Sequence, residues 1–399
     1  MPSLSLRATA IESSRTIAMN QRARELKGAG IDIIDLTVGE PDFRPPRAVL
    51  EAASRAALSG ADRYTPVAGL PALRAAAASD LHEDGGLPCR PEDIIVTPGA
   101  KNGLSTAILA LINPGDEAII PLPAWPSYAE LVKLAGGLPV GLPTSPACGY
   151  KLTPDVLEAA LGPRTRLLVL CSPSNPTGAV YSAAELEGLA RSLERHPNVW
   201  ILSDEVYRRI RYVPDVPSPA SLPLFRDRCA VIRGLSKSHA MTGWRIGFVA
   251  GPERFIQACT AIQGQTVTCA AAISQLAGIA ALAGDQAEAH AMVSAYEVRR
   301  RNFVAALGSI PGFEIALPDG AFYAYPEISG LLGRTWKGIT LNTSDDVALF
   351  LLEEARVAVV PGSAFGDDST LRLSFAAADD ALSSAVTRIA QATTLLYGR

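Results

Sequence analysis

The chain has 399 residues, 48% hydrophobic and 19% charged, a globular composition with ample core and room for roughly two to three domain-sized units. Its net charge of -4 offers no general attraction to nucleic acid or an anionic membrane, so any anion site has to be local. Six scattered cysteines (Cys89, Cys148, Cys171, Cys229, Cys259, Cys269) form no Cys-x-x-Cys pair, which argues against a disulfide framework or a zinc site and suggests no metal centre.

In chain order, residues 93–96 read as a strand, followed by the turn Thr97-Pro98-Gly99-Ala100 and a helix over about 101–112. A strand at 118–120 precedes a helix at 128–134. Continuous apolar runs at 166–170 and 199–202 read as strands, with a helix at 183–193 between them; further strands follow at 230–232 and 246–249. Strands apolar on both faces, alternating with helices, predict an α/β fold with a mostly parallel sheet covered on both sides. One long helix is expected over 287–307, then a strand-rich unit around Phe322-Tyr323-Ala324-Tyr325. A helix at 346–354, strands at 357–360 and 371–374, and a last helix complete the chain. No repeat or low-complexity linker appears, and the change of pattern near Ala283 is the expected end of the large sheet unit. No apolar run is long and charge-free enough to span a bilayer, and the N-terminus lacks a signal-peptide core, so a cytoplasmic location is expected.

The most informative segment is Ser236-Lys237-Ser238-His239-Ala240-Met241-Thr242-Gly243-Trp244-Arg245. A lysine among small hydroxyl residues, followed by an arginine in a Gly-Trp-Arg turn, suits the capture of a phosphorylated aldehyde. The amine can form a Schiff base with the aldehyde carbon, and Ser236 and Arg245 can both meet the phosphate. Three further segments add to it: Ser172-Pro173-Ser174-Asn175-Pro176-Thr177-Gly178, Ser203-Asp204-Glu205-Val206-Tyr207, and Leu371-Arg372-Leu373-Ser374-Phe375. In open α/β sheets ligands bind at the carboxyl ends of strands, and several of these residues follow predicted strands directly. Asp204 there is either a helix N-cap or a carboxylate paired with a cationic ring nitrogen. Gly99-Ala100-Lys101 opens a helix after a strand, where free backbone N–H groups and the helix dipole favour an anion.

With these motifs in order, the chain from about Leu36 onward resembles the class I pyridoxal-phosphate (PLP) aminotransferases of fold type I. Within them it is most similar to the bacterial aspartate/prephenate branch. The resemblance implies a large PLP-binding domain at 45–283 and a small α+β domain made of 284–399 with the N-terminal segment 1–44. It implies a homodimer with shared active sites, in which Tyr64 reaches the neighbouring subunit's phosphate, and a ring stacked on Trp125. Lys237 is then the catalytic lysine. Asp204 pairs with the ring nitrogen, Tyr207 and Asn175 face the ring's 3-oxygen, and Gly99, Ala100, Lys101, Ser236 and Arg245 surround the phosphate.

Arg372 is the expected grip on the substrate α-carboxylate, because its planar fork supports two parallel hydrogen bonds; the resemblance implies that Asn175 and the Gly39 backbone assist. An arginine in a strand can otherwise be an exposed or paired residue. Lys101 matches the lysine that reads a distal carboxylate in the bacterial branch. The segment Gln263-Gly264-Gln265-Thr266-Val267-Thr268 contains no arginine, unlike the animal aspartate enzymes. Arg15 and Arg44 depart from the branch pattern; either binds a substrate carboxylate or is a solvated charge. His239 is read as packing. The expected activity is ping-pong transamination between an acidic amino acid and a 2-oxo acid, with prephenate as a further acceptor. The alternatives are another PLP reaction, such as β-elimination, or a non-enzymatic regulator, although no helix-turn-helix segment precedes Leu36.

Overall fold

The computed structural model of the protein describes residues 4–11 and 15–397. Strand β1 (Ile34–Asp35) comes first. A seven-stranded sheet then collects β2 (Ile94–Thr97), β3 (Glu117–Leu122), β4 (Leu138–Pro143), β5 (Thr165–Cys171), β6 (Trp200–Asp204), β7 (Cys229–Gly234) and β8 (Gly247–Ala250). Its spatial order is β2-β8-β7-β6-β5-β3-β4, and β8 runs antiparallel to both neighbours while β4, β3, β5, β6 and β7 are mutually parallel.

Alternation along each strand sorts the apolar residues into two cores. Ile94, Val96, Ile119, Leu168, Leu170, Ile201, Val231 and Phe248 pack on one face. Ile95, Ile120, Leu167, Val169, Leu202, Ile232 and Val249 pack on the other. Helices cover both: Ala272–Ala283 packs against both Arg47–Leu58 and Pro71–Gly85 on the first side, and Ala100–Leu111 packs with Ser127–Leu134 and Glu253–Thr266 on the second. Burial on both faces is why these strands are continuously apolar.

The rest of the chain forms a third core. The long helix Ala287–Gly308 contributes Tyr296, Phe303 and Leu307, which pack with Phe322, Phe350, Leu371, Leu373 and Ile389. Strands β9 (Tyr323–Ala324), β13 (Val360–Pro361) and β14 (Leu371–Ser374) make a small antiparallel sheet, and β10 (Thr335–Trp336) pairs with β11 (Ile339–Thr340). Strand β12 (Val357–Ala358) pairs in parallel with β1, which ties the segment preceding the large sheet to the C-terminal part of the chain.

Most predicted strands and helices lie within a few residues of their expected places. The helix expected at 346–354 is instead an α-helix over Ser344–Phe350, started by a capping box between Thr343 and Asp346 and continued by a wide turn over Leu351–Ala355. Strand β4 had no counterpart in the sequence pattern. It is an edge strand of sequence LPVGLP, mostly half-exposed, and edge positions tolerate the prolines that conceal it. No described helix is long and apolar enough to cross a membrane. No group of three or more His, Cys, Asp or Glu among the described residues could hold a metal ion.

Candidate active site

The predicted site residues gather at the carboxyl edge of the large sheet. Cys171 and Asp204 are register partners at the ends of β5 and β6, and Asp204 pairs with Ile232 of β7. The turn carrying Asn175 leaves β5, and the short helix Leu235–Ser238, carrying Lys237, leaves β7. Parallel pairing thus brings together side chains far apart in sequence.

Lys237 donates from Nζ to the Gly39 carbonyl. Burial, with Arg372 and Arg245, lowers its ammonium to about 8 against the opposing pull of Glu40 and Asp204. The lysine amine therefore senses the predicted carboxylate-binding arginine, the predicted phosphate-binding arginine and the predicted ring-binding aspartate together.

Asp204 is 3% exposed. Its Oδ2 accepts from the Tyr128 phenol at 2.7 Å and its Oδ1 from the Val206 N–H at 3.2 Å. Burial pushes the carboxyl up to about 6 against the pull of those donors and of Lys237. A buried carboxylate so weakly compensated suits a cation arriving with a ligand. Glu205 points into a different network: Arg233 grips its Oε2 through Nε at 3.2 Å and Nη2 at 3.1 Å, and Ser203 and Ser218 donate to its Oε1.

Arg372 is 2% exposed. Its Nη1 donates to Asn175 Oδ1 at 3.0 Å and its Nη2 to the Thr37 carbonyl at 2.7 Å. The guanidinium lies 4.4 Å from the Tyr323 ring centre and 5.0 Å from that of Phe365. Its Nε is buried without a hydrogen-bond partner among the described residues. A buried donor left unpaired costs on the order of 1–3 kcal/mol, which an incoming carboxylate would recover. Tyr207 is buried beside it, its phenol 2.7 Å from that of Tyr323.

The anion end lies on the helix Ala100–Leu111. Gly99 precedes it at φ +85° and ψ 158°, a conformation that side-chain-bearing residues rarely adopt, and the Arg245 guanidinium lies against it. Gly247 plays a matching part in β8, where a Cβ would sit 2.4 Å from the Ala100 nitrogen. Ser236 is buried nearby in sequence, ahead of Lys237. Arg245 has φ +56° and donates from Nη1 to the Thr242 carbonyl at 2.9 Å. Lys101 is exposed overall, with Nζ 4.6 Å from the Trp125 ring centre, and partial desolvation of the amine against its neighbours, together with Arg245, lowers its pKa. Trp125 meets Tyr128 edge to face at 5.5 Å.

Not every predicted residue joins this constellation. Tyr64 is 88% exposed and takes no part in it within one chain. Arg44 is exposed, and the Arg15 side chain lies outside the described residues. His239 is buried, with Nδ1 2.8 Å from Ser238 Oγ and Nε2 3.0 Å from Gln286 Oε1, and burial lowers its pKa to about 4, so it is a neutral packing residue. Tyr128, Thr37, Tyr323 and Gly247 were not singled out from sequence. Aromatic residues there resemble ordinary core, and only the folded chain shows which polar groups they meet.

A lysine amine of lowered pKa, a buried carboxylate short of a counter-cation and a glycine-lined helix start under an arginine fit pyridoxal 5'-phosphate group by group. They define a PLP-dependent transferase of fold type I. The family model for aminotransferase class I and II matches residues 31–389, and the chain belongs to that family, an aminotransferase whose cofactor is PLP. It is 44% identical over 396 residues to a bifunctional aspartate aminotransferase and glutamate/aspartate-prephenate aminotransferase of Petunia hybrida, covering 98% of this chain and 82% of that protein. It is 44% identical over 382 residues to an aspartate/prephenate aminotransferase of Cereibacter sphaeroides, covering 95% and 96%. Among solved structures, the aspartate aminotransferase of Rhizobium meliloti superposes with a TM-score of 0.96 at 40% identity, covering 99% of this chain and 100% of that one.

Proposed function

We propose that the chain transfers the amino group of aspartate or glutamate to a 2-oxo acid in a ping-pong cycle, with prephenate among its acceptors. The observation that carries this is the buried Arg372, whose Nε has no partner among the described residues and whose charge Lys237 senses. The names of the relatives support the acidic substrate and the prephenate acceptor. When bound, PLP supplies an electron sink that loosens the substrate Cα proton.

The chain's own residues do the rest. Arg372 binds the α-carboxylate through its planar fork, steadied by Asn175 and the Thr37 carbonyl. Lys237 Nζ, with its pKa lowered to about 8, is neutral often enough near neutral pH to take the Cα proton and return it. Asp204, held by Tyr128 and Val206, would balance a protonated ring nitrogen, and Tyr207 and Asn175 would face the 3-oxygen. Gly99, Ala100, Ser236 and Arg245 would hold the phosphate, and Trp125 the ring face. Lys101, exposed over Trp125, would receive a distal carboxylate, and the Gly39 backbone would assist at the α-carboxylate.

We assign the large PLP-binding domain to 45–283 and the small domain to 1–44 with 284–399. We also assign a homodimer in the cytoplasm, in which the exposed Tyr64 serves its partner's phosphate site. Steady-state rates with aspartate varied at several fixed concentrations of 2-oxoglutarate, then of prephenate, test the function. Parallel double-reciprocal lines with both acceptors are expected; ammonia and pyruvate formed without any acceptor from an amino acid that carries a β-leaving group, such as serine, with no transfer from aspartate, would replace transamination with elimination.

A further inference from the structure

We infer that Tyr323 is a positioning residue that joins the two halves of the site, its phenol donating to Tyr207 while its ring carries Arg372. The inference rests on the PLP site just proposed and extends it to a side chain with no expected place there. Tyr323 is 1% exposed in β9, and its register partner in β14 is Ser374. Arg372 lies two residues before Ser374 on the same strand face. It is therefore the diagonal neighbour of Tyr323, a position an aromatic ring can reach. The guanidinium sits 4.4 Å from that ring centre. On its third side the phenol abuts Gly39, where a Cβ would lie 2.7 Å from Tyr323 Oη. The carbonyl of that same glycine accepts from Lys237.

The direction of the phenol contact follows from counting protons. A phenol has one proton to donate and lone pairs to accept. The 2.7 Å contact between Tyr207 and Tyr323 holds one proton, from either residue. If Tyr207 gives its own proton to the cofactor 3-oxygen, it can only accept from Tyr323. Tyr323 then polarises Tyr207, since chained hydrogen bonds strengthen one another. A tyrosine that merely fills space would do none of this.

The test uses PLP-loaded enzyme without substrate and follows its visible absorbance against pH. A donor at the 3-oxygen draws negative charge there; a weaker donor leaves more charge to hold the chromophore's proton, so the midpoint rises. Tyr323→Phe keeps the ring and removes the hydroxyl, and should raise the midpoint by about 0.3–0.5 pH unit. It should leave amino acid KM within about twofold, because the cation–π contact survives. Tyr207→Phe should shift the midpoint further, and adding Tyr323→Phe to it should shift nothing more. Tyr323→Leu, which also removes the ring, should raise KM for every amino acid by about fivefold or more. An unchanged midpoint in Tyr323→Phe, or an equal shift with and without Tyr207, would overturn the inference. A wild-type protein that shows no visible band with PLP would instead sink the cofactor site on which it rests.

Discussion

Burial works on Lys237 and Asp204 in opposite directions, lowering the ammonium to about 8 and raising the carboxyl to about 6. Both are pushed toward their neutral forms before the cofactor arrives. Only a neutral amine attacks an aldehyde, so the rate of PLP uptake by the ligand-free protein should rise with pH through a midpoint near 8, followed by stopped-flow absorbance. A midpoint above 10 would mean the lysine is not desolvated in this way. For Asp204 the folded pKa is raised, so its contribution to stability is complete below the unfolded value of about 3.9 and is lost as pH rises through about 6. Asp204→Asn should therefore raise the melting temperature of the ligand-free protein at pH 8 and leave it nearly unchanged at pH 4. The two cations separate by substrate. Arg372→Ala should lower kcat/KM for every amino acid by roughly 100-fold or more, two charged hydrogen bonds being lost. Lys101→Ala should cost aspartate and glutamate about 10–100-fold while sparing alanine, one charged contact being lost. Equal losses for alanine and aspartate would remove the role assigned to Lys101.

At the scale of elements, the buried strands were legible because parallel strands covered on both faces carry continuous apolar runs, as β5 does from Leu167 to Leu170. The edge strand β4 was not, because half-exposed LPVGLP carries neither alternation nor β-rich composition. Motif residues at strand ends, such as Asp204 and Lys237, could be nominated because the chemistry requires those residue types. Tyr128 could not, since its meaning comes from a hydrogen bond to a residue of another strand. Gly247 is hidden in the same way: a glycine in an apolar strand signals a close approach without saying to what. It lets β8 pass beneath the helix start, where an added Cβ would lie 2.4 Å from the Ala100 nitrogen and 2.6 Å from the Gly99 carbonyl carbon. Gly247→Ala should destabilise the protein by about 1–3 kcal/mol in denaturant unfolding and weaken PLP binding by about tenfold or more. Normal PLP affinity in that variant would mean the helix start does not hold the phosphate.

At the scale of the molecule, the large sheet supplies Lys237, Asp204 and Asn175, while β9 and β14 supply Tyr323 and Arg372. The two parts meet through Arg372–Asn175 and Tyr323–Tyr207, contacts that link residues 197 and 116 positions apart. A carboxylate bound at Arg372 thus joins the two, and no local sequence window could display that arrangement. The measurement that tests the account most directly is an absorbance titration of PLP-loaded protein with single amino acids, no 2-oxo acid being present. Aspartate or glutamate should convert the yellow form completely to the pyridoxamine form, at lower concentration than alanine does. A spectrum that no amino acid converts to pyridoxamine phosphate would contradict transamination, whatever became of the fold and the cofactor.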